Sequence, residues 1–364
     1  MAADAPYANL ESPSTLALCR EDPNGFLDGM LNKGRPAVVD EAQRFPELFS
    51  WIQVLSDRRQ ENGLFVLTGS QNFLVNDNVS QSLAGRTSVL TLLPLSIPEL
   101  PTPLESSLEA RLLTGGYPRL YDERRLSPPP AELYESYVAT YLERDVRQLS
   151  AVQDLATFHR FLQLCAARVG GLLNKANLSV EAGISQATVE RWLSVLEASH
   201  VIFRLQPYFQ NLSKRLVKTP KLYFCDAGLV CHLVGIRRPQ ELELHPLRGA
   251  LFENLVFSEF LKRSFNSGTR PGIFFFRDKT GHEVDFLIPD GDRLRAFEVK
   301  SSATFRRDYV SDLRYLRDLI GPRLAEAHLL YAGAEDASVD GIRVRNAIRY
   351  FMPDALGGQT AGSG

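Results

Sequence analysis

GHEVDFLIPDGDRLRAFEVKSS, residues 281–302, holds two apolar runs separated by a short turn sequence, PDGD. Two adjacent strands joined by such a turn would bring Asp285 beside Glu298, because paired strands carry opposed side chains on a common face. Lys300 follows Glu298 by two positions, so the period-two alternation of a strand puts both on the same face. The stretch therefore predicts a β-hairpin that brings two carboxylates and one amine together.

This pattern suits metal-assisted hydrolysis. Magnesium prefers a few carboxylate oxygens together with water and phosphate, and Glu253 on a predicted helix in LFENLV adds a third carboxylate. Asp285, Glu298 and Glu253 are thus predicted metal ligands. Asp285, Glu298 and Lys300 are the predicted catalytic groups, with Lys300 orienting or deprotonating a hydrolytic water. The alternative is a solvated sheet edge, on which Glu298 and Lys300 form a weak ion pair.

The composition is that of a soluble globular protein with two or three domains. The chain has 364 residues, 44% of them hydrophobic and 23% charged, and a net charge of −2, which excludes a polybasic nucleic-acid binder but allows a local basic patch. The absence of a CxxC pair predicts buried thiols in a reducing, cytoplasmic compartment. The printed sequence contains no apolar run of membrane-spanning length and no secretory signal pattern, so we expect no membrane association. The four cysteines are Cys19, Cys165, Cys225 and Cys231.

Three regions are predicted from the order of apolar and amphipathic stretches. Residues 1–105 alternate as a parallel α/β layer, with PAVVD and LFVLTGS as strands and PELFSWIQVLSDRRQ as a helix. Residues 106–244 are mostly helical and include a long amphipathic helix beginning in PPPAELYESY. Residues 245–352 return to an α/β pattern, and residues 353–364 form a small-residue tail that we expect to be flexible. The proline-rich stretch LPLSIPELPTPLE marks the first boundary.

The middle region has the pattern of a helix-turn-helix followed by a wing. A short helix ends at a turn at Gly183, Ser185 is placed as an N-cap, and a second helix runs over 186–198 before a β-rich run. Residues 203–221 then carry several basic residues and no acid, which predicts contact with DNA phosphates. The alternative is a packing or dimer element. The predicted DNA-binding residues are Arg204, Lys214, Arg215, Lys218 and Lys221.

In the first region, Asp40 and Glu41 end the apolar strand of AVVDEAQ. In nucleotide hydrolases the first acid of such a pair holds magnesium through water, and the second polarises the attacking water. The next strand ends in LTGSQ, which puts Ser70 at the same sheet edge, and Arg86 in SLAGRT supplies positive charge for a phosphate. We therefore predict Asp40, Ser70 and Arg86 as cofactor-binding residues, Asp40 also as a metal ligand, and Glu41 as catalytic.

These landmarks in this order resemble AAA-type ATP-binding proteins that carry a C-terminal domain of unknown function. The C-terminal acids and lysine resemble the PD-(D/E)XK nuclease superfamily, with Asp285, Glu298 and Lys300 matching its core pattern and Glu253 its helical acid. The resemblance implies a prokaryotic protein with a partial AAA-type parallel-sheet core, a helical and winged-helix middle, and a PD-(D/E)XK-like α/β C-terminal domain. The landmarks are YANLESP, DEAQRFPELF, LTGSQNF, LAGRT, GGYPRLY, YLERDV, RLVKTPKLYFCDAGL, LRGALFENLV and HEVDFLI with AFEVKSS.

One element of the AAA pattern is missing from the printed sequence. It contains no G-x-x-x-x-G-K-[ST] loop, the element whose amides and lysine grip the β- and γ-phosphates. The chain is then either shortened or degenerate, and we expect weak or absent ATP binding unless such a loop is supplied.

The leading hypothesis is an ATP-binding family protein whose nuclease-like domain carries out magnesium-dependent DNA cleavage. An alternative is a non-catalytic DNA- or protein-binding module with degenerate ATPase and nuclease folds. A third is a subunit that borrows the loop from a partner. A homo-oligomer is compatible with each of the three.

Overall fold

The structure, a computed structural model, describes residues 5–69, 83, 85–101, 106–124, 126–142, 154–208 and 217–353. It divides into two compact units, Met1–Val89 and Leu90–Gly364. Helices accompany one parallel sheet and one mixed sheet, so the predicted α/β class is confirmed.

The described part of the first unit forms a three-stranded parallel sheet in the order β1–β2–β3. The central strand has the sequence AVVD, and its three apolar residues are buried, as expected for a parallel strand covered on both faces. The predicted strands and the helix between them are confirmed. The elements are β1 (Tyr7–Asn9), α1 (Pro13–Glu21), α2 (Pro23–Lys33), β2 (Ala37–Asp40), α3 (Leu48–Arg59) and β3 (Phe65–Leu67).

Local sequence explains where the first two helices begin. The Ser12 side chain accepts a hydrogen bond from the Thr15 amide, and the Asp22 side chain accepts one from the Gly25 amide. Each cap is followed by a proline, whose missing N–H costs nothing in the first turn. The apolar faces of α2 and α3 pack with β2 in one core, which leaves Asp40 at the carboxyl end of the sheet.

The second unit contains a helical region, a two-stranded antiparallel pair and a six-stranded mixed sheet in the order β10–β11–β9–β8–β7–β6. Its described helices are α4 (Leu108–Thr114), α5 (Pro130–Tyr137), α6 (Leu155–Ala166), α7 (Lys175–Ala182), α8 (Gln186–Ala198), α9 (Ala227–Leu233), α10 (Pro239–Glu243), α11 (Arg248–Asn266), α12 (Ser311–Ile320) and α13 (Ala347–Tyr350). Its described strands are β4 (Ile202–Leu205), β5 (Lys221–Phe224), β6 (Phe274–Arg277), β7 (Glu283–Asp290), β8 (Arg293–Lys300), β9 (Leu324–Tyr331), β10 (Ala337–Val339) and β11 (Ile342–Asn346).

The predicted helix-turn-helix is present. Helix α7 ends at Gly183, which adopts the left-handed conformation with φ 72°, and the Ser185 side chain caps α8 by accepting from the Thr188 amide. Trp192 and the other apolar residues of α8 are buried. The antiparallel strands β4 and β5 follow. The structure describes the first part of the long helix predicted from PPPAELYESY, where α5 continues into a π-helical turn at Val138–Leu142; the rest of that prediction lies outside the described residues.

The predicted C-terminal hairpin is also present. Strands β7 and β8 pair from Phe286 with Phe297 to Asp290 with Arg293, and a two-residue turn joins them. Helix α11 packs against one face of this sheet and α12 against the other.

The described part of the proline-rich stretch, residues 93–101, lies in the second unit, although the sequence placed it in the first region. Ile97 is buried in the core of the second unit, and its amide donates to the buried Glu259 carboxylate at 2.8 Å. The Lys262 ammonium donates to the Leu95 carbonyl at 3.0 Å. These buried bonds make the stretch part of the second unit, so the division falls before it, between Val89 and Leu90.

Candidate functional site

Asp40 ends β2 and accepts hydrogen bonds from two neighbouring side chains. The Tyr7 hydroxyl donates to Oδ2 at 2.6 Å, and the Thr68 hydroxyl, just after β3, donates to Oδ1. Partial burial raises the pKa of Asp40, but the bonds from Thr68, Tyr7 and the Glu41 amide outweigh it and hold the pKa below its usual value. The carboxyl end of the sheet thus presents a carboxylate that is charged at neutral pH.

Glu41 follows directly, in the left-handed region with φ 55° and ψ 44°. A residue with a side chain occupies this region at an energetic cost of about 1 kcal/mol. The Gln43 side-chain amide donates to Glu41 Oε2 at 2.5 Å, which fixes the orientation of the carboxylate. The two predicted acids are therefore adjacent and individually held.

Arg86 is paired with a carboxylate of the first unit. Its Nε and Nη2 atoms donate to the two carboxylate oxygens of Asp57, on α3, at 2.7 and 3.2 Å. This ion pair is exposed, with 42% of the Arg86 side chain and 49% of the Asp57 side chain accessible, so a phosphate can replace the carboxylate and the role of Arg86 stays a prediction. Ser70 lies outside the described residues.

A second group of charged residues lies in the second unit, and we call it the carboxylate–lysine cluster. Three elements contribute to it: α11, the hairpin β7–β8, and the first residue of β5. Its carboxylates belong to Glu253, Glu283, Asp285 and Glu298, and its ammonium groups to Lys221 and Lys300.

Asp285 lies where β7 and β8 stop pairing. The last pair is Phe286 with Phe297, and beyond it the Val299 amide donates to Asp285 Oδ2 at 2.8 Å. Burial, and then the charge of Glu253, raises the pKa of Asp285 to about 7, against the opposing effect of Lys221 and Lys300.

Glu298 and Lys300 share one face of β8, as predicted. The Lys300 ammonium lies 2.5 Å from Glu298 Oε1, whereas Glu298 Oε2 is buried and has no hydrogen-bond partner among the residues described. Burial, and then the charge of Asp285, raises the pKa of Glu298 above its usual value, although Lys300 acts in the opposite direction. The structure therefore brings together the predicted Asp285, Glu298, Lys300 and Glu253.

Lys221 was predicted as a surface residue that contacts DNA, and this prediction is wrong. Its side chain is 3% exposed, and its ammonium lies 3.0 Å from Glu253 Oε1 and 3.7 Å from Asp285 Oδ1 and contacts Glu283. The Tyr223 hydroxyl also donates to Glu253. A lysine in this position cannot reach a phosphate on the surface.

The carboxylate–lysine cluster does not fit a magnesium ion. Magnesium needs several free oxygen ligands around one point, but Lys221 binds three of the four carboxylates and Lys300 binds the fourth. Consistent with this, the described parts of the chain contain no group of three or more His, Cys, Asp or Glu residues arranged to hold a metal ion.

Of the remaining predicted DNA contacts, the structure describes Arg204 and Lys218. Arg204 is bonded to Glu190 at 2.5 Å and to Glu197 at 2.8 Å, so its charge is already neutralised and its prediction is corrected. Lys218 is exposed. Lys214 and Arg215 lie outside the described residues.

Sequence reasoning missed two members of the carboxylate–lysine cluster and one partner of Asp40. Glu283 precedes Asp285 by two positions, so strand periodicity could have placed it on the same face. Tyr7 pairs with Val38 on the neighbouring strand, a register that the sequence does not reveal. The role of Lys221 depends on burial by distant elements and left no local signal.

Three family models match the chain along its length. Residues 2–101 match an AAA domain. Residues 105–240 match a domain of unknown function (DUF8612), and residues 248–350 match another domain of unknown function (DUF4143).

The curated relatives have no described activity. An uncharacterized protein of Mycobacterium tuberculosis is 31% identical over 297 residues, which make up 81% of this chain and 64% of that protein. One from Mycobacterium bovis gives the same figures. An uncharacterized protein of Haemophilus influenzae is 22% identical over 336 residues, which make up 86% of this chain and 77% of that protein. The matched region thus spans less than two thirds of the mycobacterial proteins.

The AAA match covers residues 2–101, and the match to a domain of unknown function covers residues 248–350. The AAA match agrees with the position of Asp40 at the carboxyl end of a parallel strand. No helix within the described ranges is both long enough and apolar enough to cross a membrane.

Proposed function

We propose that the first unit supplies the acid pair of an ATP-hydrolysing site, with Asp40 holding the magnesium of the nucleotide and Glu41 polarising the attacking water. The observation that carries this proposal is the charged Asp40 carboxylate at the carboxyl end of β2, bonded to Thr68 from the adjacent parallel strand. Ligands of open parallel sheets bind at this end of the strands. The AAA match to residues 2–101 supports the same assignment.

The donor atoms suit this chemistry. Asp40 offers an anionic oxygen, and the Thr68 hydroxyl lies beside it; both are hard donors of the kind that magnesium accepts. When bound, magnesium would supply positive charge to the phosphate groups. The bond from Gln43 to Glu41 restrains the second carboxylate next to the first, so this base is positioned before a nucleotide arrives.

These residues make up only the hydrolytic part of a nucleotide site. The printed sequence contains no loop that could grip the β- and γ-phosphates, so the proposal requires such a loop from another source. Nucleotide binding by this chain is then weak and depends on magnesium, because the contact through Asp40 is the main one that remains.

Titration of a fluorescent ATP analogue, with magnesium and with a chelator, tests this proposal. Asp40→Asn should remove the magnesium-dependent part of the binding, and the exposed Glu47→Gln should leave it intact. Glu41→Gln should retain binding and lower any turnover by about 100-fold or more. Tight binding that Asp40→Asn leaves unchanged would contradict the assignment.

For the C-terminal domain, residues 248–350, we propose the non-catalytic alternative over magnesium-dependent DNA cleavage. The observation that favours it is Lys221, whose ammonium holds carboxylates that a nuclease would need for its metal. The domain then acts as a binding module on a nuclease-like scaffold. In a plasmid assay with magnesium, the parent chain and Asp285→Ala should be equally inactive. Cleavage by the parent that Asp285→Ala abolishes would restore the nuclease hypothesis.

A further inference from the structure

A cavity of about 230 Å³ lies within the second unit, between α4, α11 and α13. Its volume is that of roughly eight water molecules in the liquid, so it suits a small molecule. Apolar and polar side chains contribute to its described wall in equal number. The apolar side chains include Leu108, Phe252 and Ile348, and the polar ones include Arg111, Asn346 and Arg349. A mixed wall of this kind is typical of sites that hold a small molecule in one orientation.

The charged side chains of the described wall are all positive. Arg111 and Arg349 each contribute a guanidinium group, and no aspartate or glutamate is among the described residues that line the cavity. The neighbouring Glu109 carboxylate lies 2.8 Å from the Arg248 guanidinium, which also donates to the Ser301 carbonyl. The charge of Glu109 is therefore already balanced, and the cavity itself favours an anion.

Arg111 is the buried charge of the wall. It is 5% exposed, and burial lowers its pKa, although Tyr121 and Glu259 act in the opposite direction. A buried guanidinium needs anionic contacts to offset the water that it has lost. The Glu259 carboxylate is shared, because it lies 2.9 Å from the Lys262 ammonium and accepts the Ile97 amide at 2.8 Å. A guanidinium has five N–H donors, so Arg111 can bind an anion in the cavity together with its protein contacts.

Arg349 is the exposed charge of the wall. Its Nη1 atom donates to the Ala334 carbonyl at 3.0 Å, which restrains the side chain. The Arg349 backbone amide donates to the Asn346 side chain at 2.9 Å, and that side chain donates to the Gly333 carbonyl at 2.8 Å. Asn346 is thus committed to the backbone and shapes the wall, whereas the described contacts of the Arg349 side chain anchor it at one atom.

We propose that this cavity binds a small organic oxyanion, a carboxylate or a phosphate monoester that carries a compact apolar body. The two guanidinium groups hold the oxyanion, because the arginine fork matches two oxygen atoms of either group. The apolar body packs on Phe252 and Ile348. This inference goes beyond the nucleotide site proposed for the first unit and beyond the non-catalytic role proposed for the C-terminal domain, and it rests on neither.

Isothermal titration of the full chain with benzoate and with phenyl phosphate tests the proposal. At least one of the two should bind with a dissociation constant between about 10 µM and about 1 mM, and the tighter probe identifies the oxyanion. Inorganic phosphate lacks the apolar body and benzyl alcohol lacks the charge, so each should bind at least about 10-fold more weakly. Arg349→Gln should weaken binding of the tighter probe by about 10-fold or more.

The matched control is Arg345→Gln, which removes a nearby exposed arginine that is paired with Asp336 at 2.6 Å. It should bind the probe as the wild type does. Arg111→Met should lose binding altogether, and if this variant fails to fold, the exposed Arg349→Gln still gives the result. Binding of neither probe to the wild type at about 10 mM, or binding that Arg349→Gln leaves unchanged, would overturn the proposal. Nucleotide binding and DNA cleavage are measured separately, so their failure is distinguishable from failure of this inference.

Discussion

The Asp285 carboxylate accepts a 2.8 Å hydrogen bond from the backbone amide of Val299 on the neighbouring strand. The same carboxylate faces the Lys221 ammonium at 3.7 Å. One side chain therefore satisfies a backbone donor at the point where two strands separate and also neutralises a buried cation. This double use makes Asp285 a structural residue whatever the domain binds.

Replacing Asp285 by alanine should destabilise the second unit. The Val299 amide and the Lys221 ammonium would both lose a buried acceptor, and we expect the free energy of unfolding to fall by about 3 kcal/mol. Asp285→Asn keeps a neutral oxygen acceptor and should cost less than half as much. Urea unfolding measures both, with the exposed Asp318→Ala as the control. Equal losses for Ala and Asn would show that the hydrogen bond contributes little.

Glu298 should make the protein less stable as the pH rises above the usual carboxyl pKa. The pKa of Glu298 is raised in the folded state, so the folded protein favours the protonated acid. The contribution of Glu298 to the free energy of unfolding is therefore complete below the usual carboxyl pKa and is lost as the pH rises towards the folded pKa. Glu298→Gln removes this titration and still accepts a bond from Lys300. Relative to the wild type, the variant should gain on the order of 1 kcal/mol between about pH 5 and about pH 8.

Denaturant unfolding at several pH values checks the Glu298 prediction. The exposed Glu243→Gln should follow the wild-type curve. A Glu298→Gln protein that becomes relatively less stable as the pH rises would contradict the sign.

His328 should have the opposite pH effect. Burial lowers its pKa, although the Glu326 carboxylate 2.9 Å away opposes the shift. The folded protein therefore favours the neutral ring, and stability is lost as the pH falls below the usual histidine pKa of about 6.5. Between about pH 7 and about pH 5, the free energy of unfolding should fall less in His328→Gln than in the wild type, by on the order of 1 kcal/mol. Wild-type and variant curves that run parallel over this range would show that His328 does not titrate there.

Arg204 should matter for stability and not for DNA retention. Its guanidinium is bonded to Glu190 and Glu197, so Arg204→Gln removes an ion pair from each, although Glu190 keeps Lys175 and Glu197 keeps the backbone amide of residue 204. We expect a loss of about 1 to 2 kcal/mol in the free energy of unfolding and unchanged retention of DNA on filters at low salt. Lys218→Gln should leave stability unchanged. Weaker retention in Arg204→Gln at unaltered stability would return Arg204 to the surface role first predicted for it.

The parts of the fold that the sequence predicted are those with local signals. The β7–β8 hairpin follows from period-two alternation and a turn sequence, and α8 follows from an N-cap at Ser185 and an apolar stripe. Strands β10 and β11 were not predicted, because they are short and half exposed, so they lack a clear apolar run.

In the candidate sites, too, only the contacts between residues close together in the sequence could be predicted. Glu298 and Lys300 are neighbours along one strand, and their pairing could be predicted. The environment of Lys221 could not, because the carboxylates around it come from Glu253, Glu283 and Asp285, far away in the chain. Lys221 therefore looked like one more basic residue on a surface, whereas its burial depends on the packing of α11 and β7 around β5.

The backbone conformation of Glu41 lowers stability at a residue for which we propose a role in nucleotide hydrolysis. Glycine adopts φ 55° without the steric cost that glutamate has there. Glu41→Gly should therefore raise the free energy of unfolding by roughly 1 kcal/mol, and the variant lacks the second acid. A laboratory selection for heat resistance alone would be free to discard this carboxylate. A selection that also demanded nucleotide turnover would have to keep it and to tolerate the strained peptide.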